Sequence, residues 1–115
     1  MSESPPPLPL EISVQQAHER LTASSEPRPL LLDVREPDEV ATVAIEGSRR
    51  IPMQQVPAEL DTLPKDRPIL VHCHHGGRSL KVTQFLRSKG FDQTANVKGG
   101  IDQWAVQIEP GMKRY

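Results

Sequence analysis

Pro68-Ile69-Leu70-Val71-His72-Cys73-His74-His75-Gly76-Gly77-Arg78-Ser79 joins an apolar run to a glycine turn and carries the chain's only cysteine. The run Pro68-Ile69-Leu70-Val71 reads as a short buried strand. Residues 79–89 read as an amphipathic helix with Val82, Phe85 and Leu86 on one face. Cys73 therefore closes a strand and faces a helix N-terminus. Free backbone N–H groups and the positive end of the helix dipole make such a turn an anion site. The same field lowers a thiol pKa from about 8.5 toward neutrality and populates the nucleophilic thiolate. Gly76 and Gly77 reach positive φ without steric cost, which lets successive amides point inward as a nest around one anion.

Arg78 sits in the first turn of that helix, where a cation opposes the dipole by a few tenths of a kcal/mol to about 1 kcal/mol. Something else must favour it there. A guanidinium fork suits a sulfonate, sulfate or phosphate, so Arg78 is expected to hold an oxyanion beside Cys73.

A chain of 115 residues suits one compact domain. Twelve prolines predict short, proline-ended elements. With 14 basic and 15 acidic residues and no basic stripe, the chain lacks the electrostatic footprint of a nucleic-acid binder. The longest apolar run, Leu30-Leu31-Leu32, is far below membrane-spanning length, and Met1-Ser2-Glu3-Ser4 lacks the start of a signal peptide. The reading is a cytoplasmic protein that engages neither nucleic acid nor membrane. One cysteine cannot form an internal disulfide, so any covalent intermediate on Cys73 must be resolved by an external nucleophile.

Pro5-Pro6-Pro7-Leu8-Pro9 predicts a polyproline-like arm over residues 1–11, ahead of a domain at 12–108 and a tail at 109–115. Ser13 starts a helix over 13–23, with Gln16 at the capping-box position and Val14, Ala17 and Leu21 as its apolar stripe. Leu30-Leu31-Leu32-Asp33-Val34-Arg35 lacks alternation and predicts a strand covered on both faces. A turn at Glu36-Pro37-Asp38-Glu39 enters a short helix, Ser48-Arg49-Arg50-Ile51-Pro52 reads as a strand, and 57–63 as a helix stopped by Pro64. Lys89 and Gly90 cap the Cys73 helix, Thr94-Ala95-Asn96-Val97 is the last strand, and Gly99-Gly100 opens a helix carrying Trp104 as a packing anchor. The alternation implies an α/β fold, a mainly parallel sheet of about five strands with helices on both faces. Ligands in such folds sit beyond the strands' C-terminal ends, where Asp33, Arg35 and Cys73 all fall.

Leu32-Asp33-Val34-Arg35-Glu36-Pro37-Asp38-Glu39, Ile45-Glu46-Gly47-Ser48-Arg49-Arg50-Ile51-Pro52, the Cys73 loop, and Val97-Lys98-Gly99-Gly100-Ile101-Asp102-Gln103-Trp104 together resemble a single-domain rhodanese, a thiosulfate sulfurtransferase. Val43 and Ala44 depart from the family pattern, standing where a glycine and a histidine are common. The resemblance implies a Cys73 persulfide formed from thiosulfate or a similar small donor, then sulfur transfer to cyanide, a thiol or a protein acceptor. It requires no metal or organic cofactor. It implies that His74, His75, Gly76, Gly77, Arg78 and Ser79 form the persulfide and substrate loop, with two histidines and one arginine favouring an anionic donor.

Asp33 and Arg35 are candidate supports for the loop or for Arg78, against the plainer reading of a local ion pair. His72 is expected to be packed or hydrogen-bonded on its strand. His72, His74 and His75 are adjacent residues that cannot easily aim together at one ion, so no metal is expected. Two rival readings remain open on the residues: a cysteine phosphatase or arsenate reductase, and a non-catalytic sulfur-carrier or partner-binding module. The phosphatase signature has five residues between cysteine and arginine; this chain has four, His74 to Gly77.

Overall fold

The computed structural model describes residues 8–24 and 26–115. Its helices are α1 (Val14–Thr22), α2 (Pro37–Thr42), α3 (Gly77–Ser88) and α4 (Gly100–Gln107), with a 3₁₀ segment at Met53–Thr62. Its strands β1 (Glu11–Ile12), β2 (Leu30–Asp33), β3 (Arg49–Arg50), β4 (Ile69–His72) and β5 (Thr94–Val97) form one sheet in the order β1-β5-β4-β2-β3. All paired strands are parallel.

Apolar residues run continuously along β2 and β4 because the sheet is covered on both faces. Leu31, Leu70, Ala95 and Val97 point to one core, shared with Val14 and Ala17 of α1 and Ile101 and Trp104 of α4. Leu32, Ile69 and Val71 point to the other, shared with Val56, with Val82 and Leu86 of α3, and with Phe91. Each fully buried Leu, Ile or Val contributes about 1.5–3 kcal/mol, so the two small cores together carry the sheet. Among the described residues no helix is long and apolar enough to cross a membrane.

Local chemistry explains the element boundaries. The Ser13 hydroxyl accepts from the Gln16 amide at 3.1 Å, and the Gln16 side chain accepts from the Ser13 amide at 2.9 Å, the reciprocal cap that starts α1. Pro37 opens α2, where its missing N–H costs nothing. Pro57, having no N–H, sits inside the segment expected as a helix over 57–63; the observed turns are 3₁₀ and begin earlier, at Met53. α3 starts at Gly77, two residues ahead of the expected 79, because Gly76 takes φ +113 and turns the chain directly into the helix.

Pro5, Pro6 and Pro7 of the expected arm lie outside the described residues. Leu8 is buried in the core beneath α1 and α4, and β1 takes in Glu11, paired with Asn96, so packing begins ahead of residue 12. Residues 110–115 form no regular element, yet they return to the Cys73 loop through Arg114 and Tyr115.

Parallel register places Asp33 beside His72, one residue before Cys73. The N-terminal turn of α4 then locks the loop: the Ile101 amide donates to the Cys73 carbonyl at 3.0 Å and the Asp102 amide to the His74 carbonyl at 3.1 Å. Only glycine allows this approach at position 100. A Cβ there would lie 2.4 Å from the Cys73 carbonyl oxygen and 2.6 Å from that of His74, at φ +57.

Gly100→Ala is therefore expected to destabilise the domain by at least about 2 kcal/mol, left-handed strain and overpacking combined. Gly77→Ala, whose Cβ would meet nothing within 4 Å, should stay within about 1 kcal/mol of the parent. Urea unfolding midpoints of the two variants measure the difference, and equal losses would refute this account of the α4 lock.

Candidate active site

Cys73 follows β4 and is 1% exposed. Its sulfur accepts from the Gly76 amide at 3.1 Å and from the Ser79 amide at 3.4 Å, with the Ser79 hydroxyl at 3.3 Å. The loop amides thus turn onto the sulfur. Burial pushes the Cys73 thiol up, but the Ser79 hydroxyl and the amides of Ser79, Gly76 and Arg78 outweigh it and hold the pKa below that of an ordinary cysteine. The resting cradle is narrower than the expected ring from His74 to Ser79, because the donors within hydrogen-bond distance of the sulfur come from Gly76 and Ser79 alone.

The Ser79 hydroxyl has one proton, and that proton has a second claimant. Asn96 Nδ2 donates to Glu11 Oε2 at 2.9 Å and to the Gly76 carbonyl at 3.1 Å, which leaves its Oδ1 to accept from Ser79 Oγ at 2.5 Å. The main-chain amides, which have no competing claim, therefore carry the larger part of the thiolate's stabilisation. Asn96 is a site residue that the sequence reading assigned only to a strand. Its polar side chain in a buried strand was the available signal.

Asp33 and Arg35 form a buried ion pair, with Arg35 Nη2 2.8 Å from Asp33 Oδ2. The local ion pair of the plainer reading is present, and both of its side chains are buried. The rest of the Arg35 fork reaches the Glu39 carbonyl at 3.2 Å, the Val43 carbonyl at 2.8 Å and the Tyr115 hydroxyl at 3.0 Å, so it fastens α2 at two points. Burial would favour loss of its proton, but the bonds to Asp33 and Tyr115 prevail and raise its pKa. His72 is fully buried and burial pushes its pKa down; its Nδ1 lies 3.4 Å from the Cys73 carbonyl, while Nε2, 3.8 Å from Asp33 Oδ2, has no hydrogen-bond partner among the described residues.

Arg78 points away from the expected free role. Its two terminal nitrogens lie 2.7 and 2.9 Å from the two carboxylate oxygens of Glu39 on α2. The guanidinium beside Glu39 holds that carboxyl down at about 2, and Glu39 raises Arg78 in return. Glu39 was missed as a site residue because its position in a turn-entering helix shows no partner until the fold brings α3 alongside. Three guanidinium N–H groups of Arg78 remain beyond the two that Glu39 takes.

His74 lies between two rings, 3.8 Å from His75 with planes 30° apart and 3.8 Å from Tyr115 with planes 4° apart. Burial, then the neighbouring His75, push His74 below the ordinary histidine range. One ligand-capable atom each of His74, His75 and Asp102 falls within 4.8 Å of the others. The Asp102 carboxylate is already engaged, holding Arg114 at 3.0 and 3.2 Å. With Arg78 paired and the His74 pKa pushed down, the site is less cationic than its sequence implied.

Fold and loop together define a parallel α/β protein presenting an amide-cradled cysteine sulfur at the C-terminal end of its sheet. The family model of the rhodanese-like domain matches residues 13–107, and the chain belongs to that family. It is 33% identical over 95 residues to a sulfurtransferase of Allochromatium vinosum, covering 83% of this chain and 87% of the relative. Its fold matches the human single-domain sulfurtransferase TSTD1 with TM-score 0.76 and 25% identity, over 86% of this chain and 97% of that one. A rhodanese-like domain protein of Staphylococcus aureus matches with TM-score 0.76 and 28% identity, over 91% and 97% of the two chains.

The alkylation rate of Cys73 should rise with pH to a midpoint below that of the same thiol in urea. Ser79→Ala should raise the midpoint yet leave it below the urea control, because the amides remain. A midpoint that reaches the control would show that the hydroxyl, not the main chain, activates the sulfur.

Proposed function

We propose that the protein is a sulfurtransferase carrying sulfane sulfur as a persulfide on Cys73. The Cys73 thiolate attacks the outer sulfur of thiosulfate or a similar donor; a sulfur–sulfur bond forms to Cys73, the donor's own breaks, and sulfite leaves with the bonding pair. Cyanide or a thiolate then attacks the terminal sulfur, leaving as thiocyanate or a new persulfide and restoring the Cys73 thiolate. Charge is conserved in each step, and neither step calls on a metal or organic cofactor.

The observation that carries this reading is the pair of amides from Gly76 and Ser79 aimed at Cys73 Sγ. An S–S bond adds about 2 Å to the side chain, which moves the new anionic atom toward the loop mouth. The first turn of α3 supplies further N–H groups without intrahelical acceptors there. His74, His75 and Gly77 border the passage, and the N–H groups of Arg78 that Glu39 leaves over take the donor's anionic end. Asp33 and Arg35 act at one remove, by holding α2 and hence the Glu39 carboxylate that positions Arg78. The small-molecule donor and a thiol or protein acceptor are its partners in this reading, and a cytoplasmic setting supplies the reduced thiol that the single cysteine requires.

Thiosulfate treatment followed by mass spectrometry should show one sulfur atom gained on Cys73, and cyanide should remove it as thiocyanate. Cys73→Ser should abolish both while keeping the parent's thermal stability. Arg78→Ala should raise the KM for thiosulfate more than for an uncharged persulfide donor. Phosphate-ester hydrolysis without sulfur uptake would overturn the reading.

A further inference from the structure

Tyr115 lies outside residues 13–107, which carry the family match, yet it touches one end of the Cys73 loop directly and the other through Glu39. Its ring stacks flat on His74, the residue after the cysteine. Its hydroxyl donates to Glu39 Oε2 at 2.8 Å and accepts from Arg35 Nη1 at 3.0 Å. Glu39 in turn holds Arg78, at the far end of the loop, through two bonds. The neighbouring residue, Arg114, is fixed to Asp102 in the first turn of α4, whose amide binds the His74 carbonyl. Two consecutive side chains thus span from α4 past His74 to α2, beside a loop whose cysteine is 1% exposed.

We propose that Tyr115 is a specificity-determining residue: seated as observed, it restricts Cys73 to small donors and acceptors, and bulky thiols reach the sulfur only when the ring leaves His74. This rests on the sulfur-transfer reading for its consequences, but not for its geometry. The hydroxyl's ties to Glu39 and Arg35 are ordinary hydrogen bonds at a partly exposed side chain. They make the seated state favoured without making it permanent. The side chains around the ring are already paired with one another, Glu39 with Arg78 and Asp102 with Arg114. Displacing the ring therefore leaves no buried charge stranded. The seat also differs from the rest of the site in origin, since no strand or helix imposes it.

The lone cysteine makes the test unambiguous. In the full chain, Cys73 is alkylated with iodoacetamide and, separately, with fluorescein maleimide, and sulfur transfer from thiosulfate-loaded protein is followed to cyanide and to glutathione. Tyr115→Ala should raise the ratio of bulky to small reagent by about tenfold in both assays, the population factor set by one or two net hydrogen bonds. Tyr115→Phe keeps the stacked ring and loses the hydroxyl bonds, so its ratios should lie between those of the parent and the alanine variant. Arg114→Ala, which frees the same segment without touching the ring, should move both ratios upward and guards against a misfolded Tyr115→Ala. Alkylation and transfer ratios unchanged within twofold in Tyr115→Ala and Arg114→Ala would overturn the proposal. If the parent takes no sulfur from thiosulfate while the alkylation ratio still responds, the sulfurtransferase reading falls and the size restriction stands.

Discussion

A sulfur anion buried in a protein is tolerable only where hydrogen-bond donors already point at it. Here the donors are two main-chain amides and the Ser79 hydroxyl, and the aim of the amides is a property of the backbone that no rotamer adjusts. The backbone is held at both ends. Upstream, Cys73 continues β4, the central strand between β2 and β5; downstream, Gly76 enters α3 in a left-handed conformation. Between them, α4 grips the Cys73 and His74 carbonyls. Turning those two carbonyls toward α4 constrains the peptide planes that follow, which is why a glycine that bears no functional group, Gly100, belongs to the description of the site.

Charge around this centre is balanced in pairs. Asp33 neutralises Arg35 and Glu39 neutralises Arg78, so the formal charges on these four groups sum to zero. The lowering of the Cys73 pKa therefore comes from oriented hydrogen-bond donors, with little help from net cations. Buried ion pairs are poor sources of stability, because desolvation offsets much of their attraction, but breaking one partner's contact costs about 3–5 kcal/mol. Their contribution here is positional. Arg35 satisfies two carbonyls of the α2 region as well as Asp33, and α2 presents Glu39 to Arg78, so a buried pair on β2 reaches the loop on β4 without touching the cysteine.

What could be read from the residues, and what could not, follows the same division between local and assembled features. Ser13 and Gln16, Leu30-Leu31-Leu32, and the turn at Gly76 and Gly77 declare themselves because cap chemistry, double burial and positive φ are properties of a few consecutive residues. The two-residue β1 has no period to detect, and Pro57 conceals a 3₁₀ segment behind what looks like a shorter helix. Glu39 and Tyr115 gave no sign of being site residues, and Asn96 only the polarity of its side chain in a buried strand, for another reason. Each acquires its partner from a distant part of the chain: Glu39 from Arg78, Asn96 from Ser79 and Glu11, Tyr115 from His74 and Arg35. The misfit of Arg78 with its helix dipole was correctly legible as a demand for a compensating group. That the demand is met by Glu39 within the protein could not be known without the fold.

That last point bears on how an arginine so engaged can still serve an anionic donor. A carboxylate binding the guanidinium fork takes two of five N–H groups and cancels the charge at long range, but it also fixes the plane of the group and removes rotamers that binding would otherwise have to freeze. In the proposed cycle Cys73 carries one negative charge both as thiolate and as persulfide. A strongly cationic mouth would bind the donor tightly and then retain sulfite, its trianionic encounter with the thiolate once past. A paired Arg78 offers direction with little net attraction, which favours release of the leaving anion as much as entry of the donor. The net charge is the same before and after transfer and only its place shifts, by about one S–S bond of 2 Å, toward the N–H groups of the first turn of α3.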